Sequence, residues 1–140
     1  MSRISVLTIW GLLLLIMGMI GCHRTDNAMN GTALQRLKTG ELEVVLWSPR
    51  DGLRHGSDTF TVDFRSLSEQ KLIDVGTVRS SANMPMPGMA MFGSIDVHRT
   101  NVAGRYAADA KFEMGGTWRM TIEWDGPAGH GSLNFSQSVQ

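Results

Sequence analysis

The stretch T-W-R-M-T-I-E-W, residues 117–124, decides the fold class, because large apolar side chains alternate with polar ones along its whole length. The apolar positions are Trp118, Met120, Ile122 and Trp124. Alternation with a period of two is the pattern of a strand that has one face in the core and the other in solvent. The stretch therefore predicts a half-buried β-strand, with Met120 in the core.

Similar short runs recur along the chain on both sides of this stretch. They cover residues 42–47, 59–65, 72–79, 94–99 and 105–112, and a last run opens at Leu133. Gly, Pro, Asn and Asp separate the runs, and no ten-residue segment among them shows the helical period. Short alternating strands divided by turn residues are typical of two antiparallel sheets packed face to face. The sequence predicts an all-β, immunoglobulin-like β-sandwich of about seven strands.

The first 22 residues have the composition of an export signal. Arg3 supplies a positive start, residues 4–20 are almost wholly apolar, and the segment ends at Gly21-Cys22. Cys22 is the single cysteine of the chain, and its position resembles the lipidated cysteine of a bacterial lipobox. We therefore predict a lipoprotein signal peptide over residues 1–22, with lipidation at Cys22. An uncleaved membrane anchor is the alternative, because the apolar run is about the minimum length of a bilayer span.

The remaining chain divides into a polar stretch and one domain. Residues 23–40 lack a sustained period and predict a flexible linker, in which residues 34–37 could make one helical turn. Residues 41–140 hold all the predicted strands and are enough for one small domain. Either kind of anchor tethers this domain to a membrane in the bacterial cell envelope, facing the periplasm or the exterior.

Charge, cysteine content and motifs exclude several classes of function. The chain has 13 basic and 13 acidic side chains and no basic block, which argues against a nucleic-acid partner. One cysteine cannot form an intramolecular disulfide. The sequence contains no Gly-x-Ser-x-Gly, no His-Glu-x-x-His and no phosphate-binding glycine loop before a helix. We predict that the protein is not an enzyme.

The segment M-P-M-P-G-M-A-M, residues 84–91, carries the strongest chemical signal. Its thioethers belong to Met84, Met86, Met89 and Met91. Two prolines and a glycine predict a stiff, turning loop, and a turn at Pro87-Gly88 could bring the two methionine pairs together. Thioether sulfur is soft and favours Cu(I), so the segment predicts a copper site. The alternative is that these methionines fill irregular gaps at the end of the core.

Two residues outside this segment could complete a copper shell. His98 lies on the polar face of the next predicted strand, and Met114 lies in a glycine-rich turn between two predicted strands. His98 could instead be a solvated surface histidine, and Met114 could cap the end of the core. His55 and His130 lie in turns and would contribute only if the fold brought them to the methionines.

Residues 43–122 resemble the YtkA-like domain, which is also found in FixH-like proteins. The matching elements are Ser48-Pro49 with the strand start at residues 56–64, the methionine and proline segment 84–89, Gly104-Arg105-Tyr106, and residues 114–118, Met-Gly-Gly-Thr-Trp. Two features depart from the family pattern. Met91 extends the sulfur cluster, and the Met114 motif has an added glycine.

The resemblance implies a small immunoglobulin-like sandwich exported to the cell envelope, often as a lipoprotein. Several relatives are associated with copper handling or heavy-metal export, which implies a metal role for Met84, Met86, Met89 and Met114.

Two functions remain open at this stage. The first is a lipid-anchored domain that binds Cu(I) and acts as chaperone, buffer or accessory to a copper or heavy-metal system, with an envelope protein of that system as partner. The second is a metal-free interaction or structural module, in which the segment 84–91 makes an apolar contact with a membrane partner.

Overall fold

The computed structural model describes residues 30–140, which form a β-sandwich of eight antiparallel strands. The strands are β1 (Thr32–Thr39), β2 (Leu42–Ser48), β3 (Gly56–Ser66), β4 (Thr77–Met86), β5 (Met89–Arg99), β6 (Arg105–Phe112), β7 (Gly116–Gly126) and β8 (Gly129–Val139). The predicted all-β sandwich is confirmed, with eight strands instead of about seven. Over these residues, no helix has the length and apolarity that crossing a membrane requires.

The strands hydrogen-bond in the order β1-β2-β3-β6-β5-β4-β7-β8, and β5 belongs to both layers of the sandwich. Its first five residues pair with β4, and its remaining six, from Ser94, pair with β6. Gly93 lies at the change of layer, where an added Cβ would be 3.1 Å from the Lys111 carbonyl oxygen and 3.3 Å from the Trp118 ring. The missing side chain lets β5 pass between the two sheets.

The inward faces of β3, β6 and β7 supply most of the core side chains, as the alternation predicts. They are Phe60, Val62, Phe64, Tyr106, Ala108, Ala110, Phe112, Trp118, Met120, Ile122 and Trp124. Phe64 makes edge-on ring contacts with Tyr106 and Trp124, with centroids 5.6 and 5.5 Å apart. Such ring pairs stabilise the core beyond the contribution of the apolar area that they bury. Met120 is fully buried, so its predicted place in the core is confirmed.

The linker predicted over residues 23–40 is wrong where β1 forms. Strand β1 pairs with β2 along its length, and residues 34–37 are extended instead of helical. The sequence of β1 lacks a clear alternation of apolar and polar residues because the strand lies at a sheet edge, where much of each face meets solvent. Its Gln35 Nε2 lies 3.3 Å from Gln137 Oε1 of β8 and 3.3 Å from the Ser136 carbonyl oxygen. The signal peptide, Cys22 and the first part of the linker lie outside the described residues.

The strand predicted over residues 72–79 is displaced toward the C-terminus, because β4 begins only at Thr77. Before it, Asp74 forms a turn in which its carboxylate accepts a hydrogen bond of 2.8 Å from the Gly76 N–H. At its other end β4 continues through Pro85. The ladder between β4 and β7 ends at the pair Asn83↔Arg119, so the missing N–H of Pro85 costs no bond to β7.

The motif Gly104-Arg105-Tyr106 fastens the turn before β4 to the sheet. Gly104 has φ +84°, and an added Cβ would lie 2.7 Å from the backbone nitrogen of Ile73. The Tyr106 hydroxyl lies 2.9 Å from the Gly76 carbonyl oxygen and 3.1 Å from the Asp74 carboxylate. Burial raises the pKa of this tyrosine, and Asp74 acts in the same direction. The motif therefore has a structural role in this fold.

Asp74 makes the stability of the domain depend on pH in the acid range. The Gly76 N–H and then the Arg99 guanidinium, which donates at 2.9 and 3.0 Å, hold the pKa of the Asp74 carboxyl below its ordinary value. A depressed pKa in the folded state means that ionised Asp74 stabilises the fold above the ordinary aspartate pKa of about 3.9. That contribution is lost as the pH falls through the folded value.

We expect Asp74→Asn to be less stable than the parent at neutral pH, with the difference shrinking as the pH falls below about 3.9. Urea unfolding of both proteins over a pH series measures the free energy of unfolding. A deficit that stays constant across the series would show that the charge of Asp74 does not contribute.

Candidate metal centre

Residues 84–91 form the end of the β4–β5 hairpin. The stiff, turning loop predicted there is two paired strands joined by a turn, and the predicted turn at Pro87-Gly88 is confirmed. Pro87 and Gly88 make a two-residue connection, and Gly88 has φ +76°. In a type II turn, proline is common at the second position, and the third position has a positive φ that favours glycine. Pro87 and Gly88 occupy these two positions. The strands are regular up to this turn despite two prolines.

The register of the hairpin places four methionine side chains on one face. Met84 pairs with Met91, and Met86 pairs with Met89. Directly opposite residues of an antiparallel pair share a face, with Cβ atoms about 4.5–5.5 Å apart. Residues two apart on a strand also share a face, at a spacing of about 7 Å. We call this set the methionine ladder, with Met84 and Met91 as its inner rung and Met86 and Met89 as its outer rung.

Burial decreases along the ladder toward the turn. Met84 is 9% exposed and Met91 is partly buried against the core, whereas Met86 is 40% exposed and Met89 is 68% exposed. The two interpretations of the sequence therefore apply to different rungs. The inner rung closes the end of the core, and the outer rung presents its sulfur atoms beyond the core.

Met114 lies in the turn between β6 and β7, at the end of the sandwich where the inner rung lies. Its side chain is 39% exposed, and its backbone carbonyl accepts a hydrogen bond of 3.1 Å from the Trp118 indole nitrogen. Two residues further, a Cβ added at Gly116 would lie 2.7 Å from the Met84 methyl carbon. Glycine at this position leaves room for the Met84 thioether. The fold thus brings a fifth methionine to the same end of the sandwich.

His98 is not brought to the ladder. Its Nε2 lies 3.3 Å from the Asp109 carboxylate on the outer face of the sheet, whereas Met91 of the same strand faces inward. Seven residues separate Met91 from His98, which corresponds to about 23 Å along a strand. His98 therefore contacts Asp109 on the surface, at some distance from the candidate site.

The other two histidines with described positions lie at opposite ends of the sandwich. His55 precedes β3, at the end where the hairpin projects, and its Nδ1 lies 3.0 Å from the Gln140 carbonyl oxygen. His130 is the second residue of β8, at the far end, where it pairs with Asp125. Sequence spacing does not distinguish the two, because their placement depends on strand order.

The donor set at the hairpin suits a soft, monovalent cation. In residues 30–140, no three His, Cys, Asp or Glu side chains are arranged to hold a metal ion. The donors that the fold gathers are neutral thioethers, which select Cu(I) over harder divalent ions. Thioethers lose no proton on binding, so a site of this kind tolerates mild acid.

The fold and this cluster define a small β-sandwich domain with soft donors at one end. The family model described as YtkA-like matches residues 36–123, and the chain belongs to this family. The predicted resemblance is therefore confirmed. No protein of curated function matches the chain.

A solved structure with a similar fold is that of FetP from uropathogenic E. coli strain F11, described "as isolated" after recombinant expression in the periplasm of E. coli. The TM-score is 0.54 and the sequence identity is 13%, and the match covers 76% of this chain and 93% of FetP. At this identity the likeness shows the fold.

Proposed function

We propose that this domain binds Cu(I) on the methionine ladder and acts in the cell envelope as a non-catalytic copper chaperone, buffer or accessory protein. The observation that carries the proposal is the register Met84↔Met91 and Met86↔Met89, which sets four thioethers on one face. Membership of the YtkA-like family supports the assignment. The partner would be an envelope protein of a copper or heavy-metal system.

The residues of the site have graded roles in this proposal. Met86 and Met89 are the primary donors, because they are exposed and face each other across the hairpin. The inner rung and Met114 are the candidates for a third or fourth sulfur, because they lie at the same end of the sandwich and the methionine side chain is flexible. His98 is left out of the site because of its position on the other face.

The proposed location in the cell envelope rests on the N-terminal sequence and not on the described fold. The predicted signal peptide and lipidation at Cys22 would hold the domain at a membrane outside the cytoplasm. A double or triple acyl chain gives stable anchoring, whereas one chain binds only marginally.

Competition with a chromophoric Cu(I) chelator tests the proposal in the most economical way. Under anaerobic, reducing conditions, we expect the protein to withdraw Cu(I) from the chelator until one ion per chain is bound. Zn²⁺ added in the same assay is expected to remain unbound, since thioethers are poor ligands for it. A chelator that keeps all its copper in the presence of excess protein would contradict the proposal.

A metal-free interaction module is the second candidate, and Phe92 is the observation that favours it. Phe92 has no donor atom, yet it is 72% exposed on the face of the hairpin opposite the ladder. Copper binding gives no reason for an exposed ring at this position.

A further inference from the structure

The end of the β4–β5 hairpin, residues 84–93, is apolar on both faces. These residues contain no polar side chain, and residues 85–90 are all exposed. Met89 and Phe92, on opposite faces, are 68% and 72% exposed. Pro87-Gly88 is an ordinary turn pair, but large apolar side chains on both sides of it are exposed. An exposed apolar patch of this kind marks a surface that something covers. We call residues 84–93 the apolar tip.

Cationic side chains flank the base of the apolar tip. The tip is bounded by Asn83 on β4 and Ser94 on β5. Arg119 of β7 pairs with Asn83, and Lys111 of β6 pairs with Ser94, so one cation lies beside each boundary. Both are exposed.

Lys111 also lies 3.8 Å from Glu113, but an exposed pair of this kind contributes little. An apolar end with basic residues set behind it is the arrangement of proteins that enter the headgroup region of anionic bilayers.

The N-terminal side of the domain points the same way as the apolar tip. Thr32 at the start of β1 pairs with Ser48 at the end of β2, and the antiparallel pairing through β3 and β6 carries this end of the sheet to the level of Val97, three residues from the base of the tip at Ser94. Eight residues lie between Cys22 and Gly31. An extended segment of that length spans at most about 30 Å. A lipid on Cys22 would thus keep the tip within reach of the same bilayer.

A protein strand is a poorer occupant for the β4 side of the tip. Beyond Asn83 this edge is free of β7, but Pro85 has no N–H to offer an added strand. A lipid surface does not require a backbone N–H donor at this edge. The tip extends about 15 Å from its base at the rise of an antiparallel strand, which exceeds the 5–10 Å or so by which interfacial elements enter a bilayer.

We propose that the apolar tip docks into the headgroup layer of an anionic bilayer, with Phe92 and the outer methionines as the apolar anchor and Arg119 and Lys111 against the lipid phosphates. The proposal goes beyond copper binding and does not require it. When copper is bound, the ladder would lie at the membrane surface.

Depth-dependent quenching on the full chain in vesicles tests this inference with the copper chelated. An environment-sensitive probe is attached at Ala90→Cys, which lies in the tip and is no copper donor, and in a second variant at Glu69→Cys, at the far end of the domain. The labelled parent gives the background from Cys22. We expect the probe at position 90 to shift to the blue and to be quenched several-fold by doxyl-labelled lipid in vesicles of phosphatidylcholine with phosphatidylglycerol.

The probe at position 69 is expected to show neither change. Adding Phe92→Ser to the Ala90→Cys variant is expected to remove most of the quenching, because the ring is a large exposed anchor. Equal, water-like emission at positions 90 and 69 would overturn the proposal and leave a protein as the occupant. Equal quenching in phosphatidylcholine alone would overturn the role given to Arg119 and Lys111. Copper affinity is measured separately, so neither result decides the proposed function.

Discussion

Replacing Met86 and Met89 together with leucine is expected to lower the affinity for Cu(I) by at least about 100-fold. Leucine keeps the apolar character of the side chains and removes both sulfur donors of the outer rung. Loss of a residue that only supports a ligand already costs roughly 10–100-fold at a metal site, so loss of two ligands costs more. The two side chains are 40% and 68% exposed, and the free energy of unfolding without metal is expected to change little.

Met120→Leu is the matched control for this double variant. Met120 is fully buried in the core and pairs with Ala82 and Phe135, away from the hairpin turn. The same chemical change there is expected to leave Cu(I) affinity as in the parent and to cost less than about 1.5 kcal/mol of stability, as volume-conserving swaps do. Equal copper affinity in the parent and the Met86/Met89 double variant would show that the outer rung does not bind the ion.

Arg105→Met is expected to destabilise the domain by about 3–5 kcal/mol, a large part of the roughly 5–15 kcal/mol that a domain of this kind has in total. Asp63 has no exposed side-chain area, and Arg105 holds it with two hydrogen bonds of 2.7 and 2.8 Å. The same contact raises the pKa of the Arg105 guanidinium above its ordinary value. Removing the arginine leaves a buried carboxylate with too little compensation, which is where the cost arises.

Arg65→Met is the comparison that isolates this effect. Arg65 also reaches Asp63, but with one bond of 3.1 Å and with 26% of its side chain exposed. We expect its replacement to cost about 1 kcal/mol. Thermal and urea unfolding of the two variants give the difference. A loss of stability in Arg105→Met no larger than that in Arg65→Met would contradict the stabilising role assigned to the buried Asp63–Arg105 pair.

The regular alternation of residues 105–112 and 117–124 made the fold class predictable. Each of these strands has one face against the core, so apolar and polar residues alternate with the strand period. The pattern fails for β1, whose polar sequence reflects its place at a sheet edge. It also fails before β4, where the contacts of Asp74 with Arg99 and Tyr106 hold a turn that has an alternating sequence.

The ladder was predictable in part, because residues two apart on a strand share a face once Pro87-Gly88 makes a tight turn. The pairing of Met84 with Met91 is a matter of register, and only the structure shows it. The place of His98 could not be inferred in the same way. Residues seven apart lie on opposite faces of one strand, but the predicted strand began at residue 94, and only the structure shows that β5 runs unbroken from Met89 to Arg99.

The most direct test of copper binding on the methionine ladder is an NMR spectrum of the full chain with ¹³C-labelled methionine methyl groups, recorded with and without one equivalent of Cu(I). We predict large shifts of the Met86 and Met89 methyl signals, smaller shifts for Met84, Met91 and Met114, and none for Met120. Unchanged Met86 and Met89 methyl signals after addition of Cu(I) would contradict the account.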